Sequence, residues 1–246
     1  MPRSLAHLGD DQRRATRISS PTPIGLAATT VSAIGLSLVR RIRQRYPGVL
    51  LNVVEGMSGH IGHLMRLGQL DLAVLFSHDV ARDLTVEPLL EEELFLILPE
   101  HSDLVAPDRT AISLAEAAAL PLILPTGGHG LRQRISAELE NRGLTGNVVA
   151  EIDSLSLLLN CVYDGIGVTI KPMGAVMQEG PRGRKWRCLP FSDAHLRRRN
   201  FLYSLPPERL TSVAAVVTGE LKETARELVK SGGWPGSEEI GGSEAA

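Results

Sequence analysis

The 246-residue chain carries 26 Lys and Arg against 28 Asp and Glu, a net charge of -2, with 43% hydrophobic and 22% charged residues. Such values are those of a globular domain and exclude a disordered or fibrous chain. The balanced charge gives no electrostatic pull toward a phosphate backbone, so this chain alone is a poor DNA binder.

The length allows one large domain or two modest lobes, either able to bury a core. Cys161 and Cys188 are too sparse for a secreted disulfide framework. Residues 1–20 carry Arg3, Asp10, Asp11, Arg13 and Arg17 and have no apolar core for a secretory signal. No apolar run approaches the roughly 18 residues that a spanning helix needs. A cytoplasmic protein away from membranes is the expectation.

In chain order, residues 1–21 are polar and Arg-rich, end near Pro21 and Pro23, and suit a linker or truncated element. Ile24-Gly25-Leu26-Ala27 starts a strand, and Thr29-Thr30-Val31-Ser32 forms a polar turn. Ile34, Leu38 and Ile42 then recur at helical spacing beside Arg40, Arg41, Arg43 and Arg45. Pro47 stops this helix and residues 49–54 supply a second strand, completing a βαβ unit. Ser58 can cap a helix with Ile61, Leu64 and Met65 on one face, followed by a short buried strand at 72–76. Strands so free of polar residues predict a parallel sheet covered on both faces.

A connection through Pro88 leads to a strand at 94–98 that ends at Pro99. A second α/β lobe follows: helix 113–119, strand 122–124, helix 131–141, strand 147–152, helix 154–163 and strand 168–170. A basic, turn-rich stretch at 182–199 precedes a strand at 201–205. The last helix, 211–230, places Val213, Val216, Val217, Leu221 and Leu228 largely on one face. It stops at Ser231-Gly232-Gly233, and residues 233–246 are expected to be disordered.

Open α/β sheets bind ligands at the carboxyl ends of their strands, where helix N-termini offer free N–H groups and partial positive charge. Thr29, Thr30 and Ser32 stand at such a point and can either cap the helix or hold a small anion. Gly56-Met57-Ser58 and Phe76-Ser77-His78 are the next turns of this kind. In the second lobe, Pro125-Thr126-Gly127-Gly128-His129-Gly130 precedes a helix, and its glycines let backbone approach a ligand. Ser154 begins another helix, and Thr169 follows the turn after Asp164. The candidate ligand contacts are therefore Thr29, Thr30, Ser32, Ser58, Ser77, Thr126, His129, Ser154 and Thr169.

Catalytic groups, a cofactor and a metal are not expected. Gly56-Met57-Ser58-Gly59-His60 misses the G-x-S-x-G elbow because His60 replaces its last glycine. His60 and His63 could share a metal, but Ile61, Leu64 and Met65 define the buried face and turn both toward solvent. No phosphate-binding or dinucleotide glycine motif is present. The Arg runs at 40–45, 182–187 and 197–199 suit solvated faces better than nucleic acid.

Several ordered segments carry a resemblance: Ile24-Gly25-Leu26 before Thr29-Thr30, Arg45-Tyr46-Pro47-Gly48-Val49 before Glu55-Gly56, and Leu67-Gly68-Gln69-Leu70-Asp71-Leu72-Ala73-Val74. Leu89-Leu90-Glu91-Glu92-Glu93-Leu94, Leu120-Pro121-Leu122-Ile123 and Asp164-Gly165-Ile166-Gly167-Val168-Thr169-Ile170-Lys171-Pro172 continue it. Together they resemble the effector-binding region of LysR-type transcriptional regulators, over about 22–234, with most likeness to the nitrogen-assimilation and aromatic-degradation branch.

That resemblance implies an α/β fold of the type 2 periplasmic-binding-protein kind, two Rossmann-like lobes around a ligand cleft. With crossovers near Pro99 and Asn200, lobe I comprises 22–99 plus 200–232 and lobe II comprises 100–199. It implies a small organic effector sensed without catalysis, and the helix N-termini at the strand ends make an anionic one the expectation. It further implies a homo-oligomer, dimer or tetramer, pairing through the helix near Ile61 and another in lobe II. DNA would be bound only by a separate N-terminal domain that residues 1–21 cannot hold. A transport solute-binding protein and an enzyme on the same fold are the rival readings.

Overall fold

The computed structural model describes residues 21–77, 83–177 and 185–240. The expectations for residues 1–20, His78 and 241–246, and part of the basic stretch at 182–199, lie outside the described residues.

The first half is a six-stranded sheet in the order β11-β4-β10-β3-β1-β2. Its strands are β1 (Thr22–Leu26), β2 (Leu51–Glu55), β3 (Leu72–Leu75), β4 (Thr85–Glu93), β10 (Arg197–Ser204) and β11 (Ser237–Glu238). Strand β1 lies between β2 and β3 in parallel register, Ile24 opposite both Val53 and Leu72. The helix α1 begins as Ala28–Thr30, passes through a π-helical turn at Val31–Gly35 and continues as Leu36–Arg45. Its Ile34, Leu38 and Ile42 bury against Leu72 and Val74 together with Val217 and Leu221 of α6 (Ser212–Ser231). The intervening residues Ala73 and Leu75 point to the other face, where Ile61 and Met65 of α2 (Ser58–Arg66) cover them. Each such fully buried aliphatic side chain contributes about 1.5–3 kcal/mol.

The second half contains β5 (Phe95–Pro99), β8 (Thr169–Lys171) and β9 (Trp186–Leu189) in the order β8-β5-β9. Beside them lies the pair β6 (Leu122–Leu124) and β7 (Val148–Glu151), joined at the edge by a parallel bridge between Leu122 and Val168. The helices are α3 (Leu114–Ala119), α4 (Gly130–Asn141) and α5 (Leu155–Tyr163). Leu114, Ile135 and Leu139 pack with Leu96, Leu98, Leu122 and Leu124. On the opposite face Leu158, Leu159 and Val162 of α5 meet Ile123. No helix among the described residues is long and apolar enough to cross a membrane.

Several local expectations are corrected. The sheets are mixed, because β10 runs antiparallel to β3 and β4, and β5 antiparallel to β8 and β9. An apolar strand reports that both faces are covered and carries no information about its direction. Residues 29–32 are helical rather than a turn, and Ser32 donates its hydroxyl to the Ala28 carbonyl at 2.9 Å. Ser58 is the first helical residue, not the cap, which is Met57 and makes no side-chain bond.

The strand β4 was not expected because Pro88 interrupts its pattern. Pro88 sits opposite Phe201 at a register shift in β10, one of the places where a strand tolerates a missing N–H. The chain changes sheet at Leu94, so β5 belongs to the second half and not, as the 22–99 boundary has it, to the first. Uniform burial of β5 fits either sheet, which is why its pattern could not assign it. The tail is also ordered as far as residue 240: Gly232 turns the chain at φ 70°, Trp234 is 1% exposed and β11 pairs with β4. A single large aromatic with a buried acceptor overrides the polar composition around it.

Candidate functional site

The helices α1, α2, α4 and α5 begin where β1, β2, β6 and β7 end, and their N-termini line one cleft between the two halves. Only α5 is closed there by a side chain, Ser154 accepting from Leu157 N–H at 3.3 Å. The caps of the other helices, Ala27, Met57 and His129, make no side-chain capping bond, so first-turn N–H groups stay available and the partial positive charge faces the cleft.

Arg198 enters from β10, buried, and is locked on several sides. Its Nε donates to Glu92 Oε2 at 2.8 Å, Nη2 lies 2.7 Å from the same oxygen as an ion pair, and Nη2 donates to Thr29 Oγ1 at 2.8 Å. The guanidinium lies 3.7 Å from the ring centroid of Phe76, a cation–π contact. Asn200 donates to the same Glu92 oxygen at 2.9 Å, and Trp234 donates its indole N–H to the other oxygen at 2.9 Å. The Arg198 charge is thus neutralised within the fold.

Lys171, at the end of β8, is not. It is 8% exposed and makes no hydrogen bond or ion pair with any described residue. Burial, and next the charge of Arg198, push its ammonium down to about 8, with Asp153 acting in the opposite sense. A buried cation with no partner costs free energy unless something supplies the missing charge.

Asp153 lies on the same cleft. Its Oδ1 accepts from the Thr126 N–H at 2.9 Å and lies 3.2 Å from His129 Nε2, while the Thr126 hydroxyl reaches Oδ2 at 3.1 Å. The Thr126 backbone bond, against the opposing effect of burial, holds the carboxyl below its usual range, helped by the Thr126 hydroxyl and His129. Leu131 and Leu155 add an apolar wall. The cleft is half open to solvent and its volume, about 60 Å³, is far below the roughly 300 Å³ of a site for a drug-sized ligand.

Of the expected contacts, Thr29, Ser58 and His129 line this cleft, and Thr126 stands behind it on Asp153. Thr30 and Thr169 are fully buried with unpartnered hydroxyls and do not line it. The Ser32 hydroxyl is spent on Ala28, Ser154 caps α5, and exposed Ser77 offers its carbonyl to the Tyr203 hydroxyl. The residues that dominate the electrostatics, Lys171, Arg198 and Asp153, were absent from the expectation. One signal was available: Lys171 ends an apolar strand, where a charge is rare without a task. Arg198 and Glu92 sit within Arg197-Arg198-Arg199 and Glu91-Glu92-Glu93, runs that look solvated.

Such a site can grip an anion. His60 and His63 are exposed, and no group of His, Cys, Asp and Glu suited to a metal occurs among the described residues.

Comparison with known proteins gives concordant matches. The profile of the family described as "LysR substrate binding domain" matches residues 20–226. The nitrogen assimilation regulatory protein nac of Klebsiella aerogenes is 30% identical over 153 residues, 62% of this chain and 48% of that protein. The chain thus spans about half the length of the curated relatives it matches. Among solved structures, HinK, a LysR family transcriptional regulator from Pseudomonas aeruginosa, superposes with TM-score 0.74 at 22% identity, covering 91% of this chain and 76% of that one. The Synechocystis PCC6803 CcmR regulatory domain in complex with 2-PG gives TM-score 0.74 at 18% identity, covering 85% and 99%. At such identities the structural likeness speaks for the fold alone.

Proposed function

The chain belongs to the LysR substrate-binding domain family and has its type 2 periplasmic-binding-protein fold, and from that premise we propose that it senses a small anionic organic effector in the cleft between its two halves. The observation that carries the reading is Lys171, a buried cation that makes no hydrogen bond or ion pair among the described residues. An anion bound there would supply that charge, and the uncapped starts of α1, α2 and α4 would donate N–H groups to it. Thr29, Ser58 and His129 are the polar contacts in reach, with Arg198 holding Thr29 in place. Lying under Phe76 and paired to Glu92, Arg198 is a positioning residue more than a free anion hook.

The chain is then the sensing part of a longer cytoplasmic regulator that works as a homo-oligomer, dimer or tetramer, with DNA bound by a separate domain. The regulators among the relatives favour sensing over solute transport, and binding without turnover over catalysis. Effector binding would draw the halves together about the two segments that pass between the sheets, near Leu94 and Leu196, where Leu94 N–H donates to the Leu196 carbonyl at 2.8 Å, and so bias the oligomer. Thermal denaturation of the full chain against a panel of small organic acids tests this. A free ligand at about 100 times its dissociation constant should stabilise by roughly 2.7 kcal/mol. Lys171→Met should abolish the shift. A shift that survives Lys171→Met, or turnover of the bound acid, would overturn the proposal.

A further inference from the structure

The next step rests on the anion-binding reading of the cleft and narrows the chemistry of its guest. Lys171 and Asp153 line the same small space, close enough for each charge to act on the other. Lys171 is 8% exposed, and its ammonium meets no acceptor among the described residues. Asp153 is also incomplete. An ionised carboxylate has about four lone-pair sites, and among the described residues its Oδ2 receives only the Thr126 hydroxyl. The Asp153 side chain remains 41% exposed, so Oδ2 can accept from a guest.

A guest with a carboxylate and nothing else polar would satisfy Lys171 but place its charge near Asp153 without compensation. A guest that also carries a hydrogen-bond donor satisfies both, since the donor turns the neighbouring carboxylate from a liability into a partner. We infer that the effector is a small carboxylic acid with a second, hydrogen-donating group, a hydroxyl or an ammonium, its carboxylate on Lys171 and its donor on Asp153. The flanking Leu131 and Leu155 favour a short carbon skeleton. Asp153 is then a specificity residue: it selects among acids that Lys171 alone would accept.

Calorimetric titration of the full chain with matched acids provides the test: propionate against lactate and alanine, and succinate against malate and aspartate. In at least one set the donor-bearing acid should bind roughly ten- to a hundred-fold tighter than its plain counterpart. Lactate and malate report the hydroxyl, alanine and aspartate the ammonium. Asp153→Ala should erase the preference, while Lys171→Met should weaken every acid. If Asp153→Ala does not fold, as judged by circular dichroism, Asp153→Asn replaces it; Asn retains an acceptor for Thr126 but loses the charge, so the ammonium preference should fall. Equal binding of plain and donor-bearing acids would overturn this inference and leave the anion-binding reading standing. A preference that survives substitution of Asp153 would also overturn it. Failure of all these acids to bind would sink both.

Discussion

Trp234 donates its indole N–H to Glu92 at 2.9 Å, on the carboxylate whose other oxygen holds Arg198 at 2.7 Å. The segment around Trp234 also lies along β4, where Glu93 N–H reaches the Gly236 carbonyl at 2.7 Å and Ser237 pairs with Glu92. The end of the described chain therefore clamps the strand that leads from one half to the other, and Arg198 carries that clamp to Thr29 in the cleft.

Glu92 is 1% exposed and neutralises a buried arginine, so removing its charge should be costly. Glu92→Gln leaves Arg198 uncompensated and is expected to lose about 3–5 kcal/mol of stability. Trp234→Phe keeps an aromatic ring but leaves one Glu92 oxygen without a donor, and should lose about 1–3 kcal/mol. Denaturant midpoints at constant m-value measure both. Midpoints unchanged from the parent protein would show that the clamp contributes nothing.

Elements whose hydrophobic period is clean were legible in the sequence: Ile34, Leu38 and Ile42 mark the buried stripe of α1, and the helices expected at 131–141 and 154–163 are α4 and α5. What was hidden depends on partners far along the chain. Pro88 in β4 is tolerated because the register with β10, about a hundred residues on, shifts beside it: Leu90 faces Asn200, Pro88 faces Phe201, and Leu89 is left unpaired. Trp234 is ordered because Glu92 awaits it, and Glu92 looks like surface because acidic neighbours flank it. The turns at the strand ends pointed to the cleft, but hydroxyls attracted more weight than charges there. Ser32, Ser154 and Thr169 satisfy local backbone or lie behind the cleft, whereas Lys171 lies on it.

Gly167 sets the spacing between β6 and β8. A Cβ there would lie 2.3 Å from the Pro121 carbonyl oxygen, the same atom that accepts from Val168 N–H at 2.8 Å. Backbone cannot yield as a flexible side chain can, so Gly167→Ala should cost about 1–3 kcal/mol. Gly128, where an added Cβ meets nothing within 4 Å, is the control, and Gly128→Ala should stay within about 0.5 kcal/mol. Displacing β8 also moves Lys171 at its end, so Gly167→Ala should weaken acid binding as well. Calorimetry on a folded Gly167→Ala that bound acids as tightly as the parent would separate the strand from the site.

Glu220 joins α6 to α1. It accepts from Arg41, from Arg45 at 2.9 Å and from the Tyr46 hydroxyl at 3.1 Å, and is 7% exposed. Burial raises its carboxyl, but the bonds from Arg41, Arg45 and Tyr46 outweigh it and leave the group below its ordinary value. A carboxyl lowered in the folded state stabilises above the unfolded value, about pH 4.3, and loses that contribution as pH falls through the folded one. Glu220→Gln should therefore destabilise near neutral pH and converge on the parent protein in acid. Urea midpoints from pH 7 to pH 3 give the comparison. A gap that widens toward low pH would reverse the assigned sign.

Lys171 shows the opposite trend, and binding and stability should pull against each other there. Its ammonium falls from 10.5 to about 8 on folding, which corresponds to a penalty of about 3 kcal/mol at neutral pH. Between those values the unfolded chain binds more protons, so the unliganded protein should gain stability as pH rises from about 8 toward 10.5. Lys171→Met should be more stable than the parent at pH 7, and the gap should close across that window. Acid binding should follow the reverse course, strong where Lys171 is charged and falling as pH passes about 8, because the cation that attracts the acid is then lost. Thermal midpoints across pH 6–10 with and without acid measure both trends. A Lys171→Met protein less stable than its parent at pH 7 would mean that Lys171 has a partner inside the fold, removing the reason to place an anion beside it.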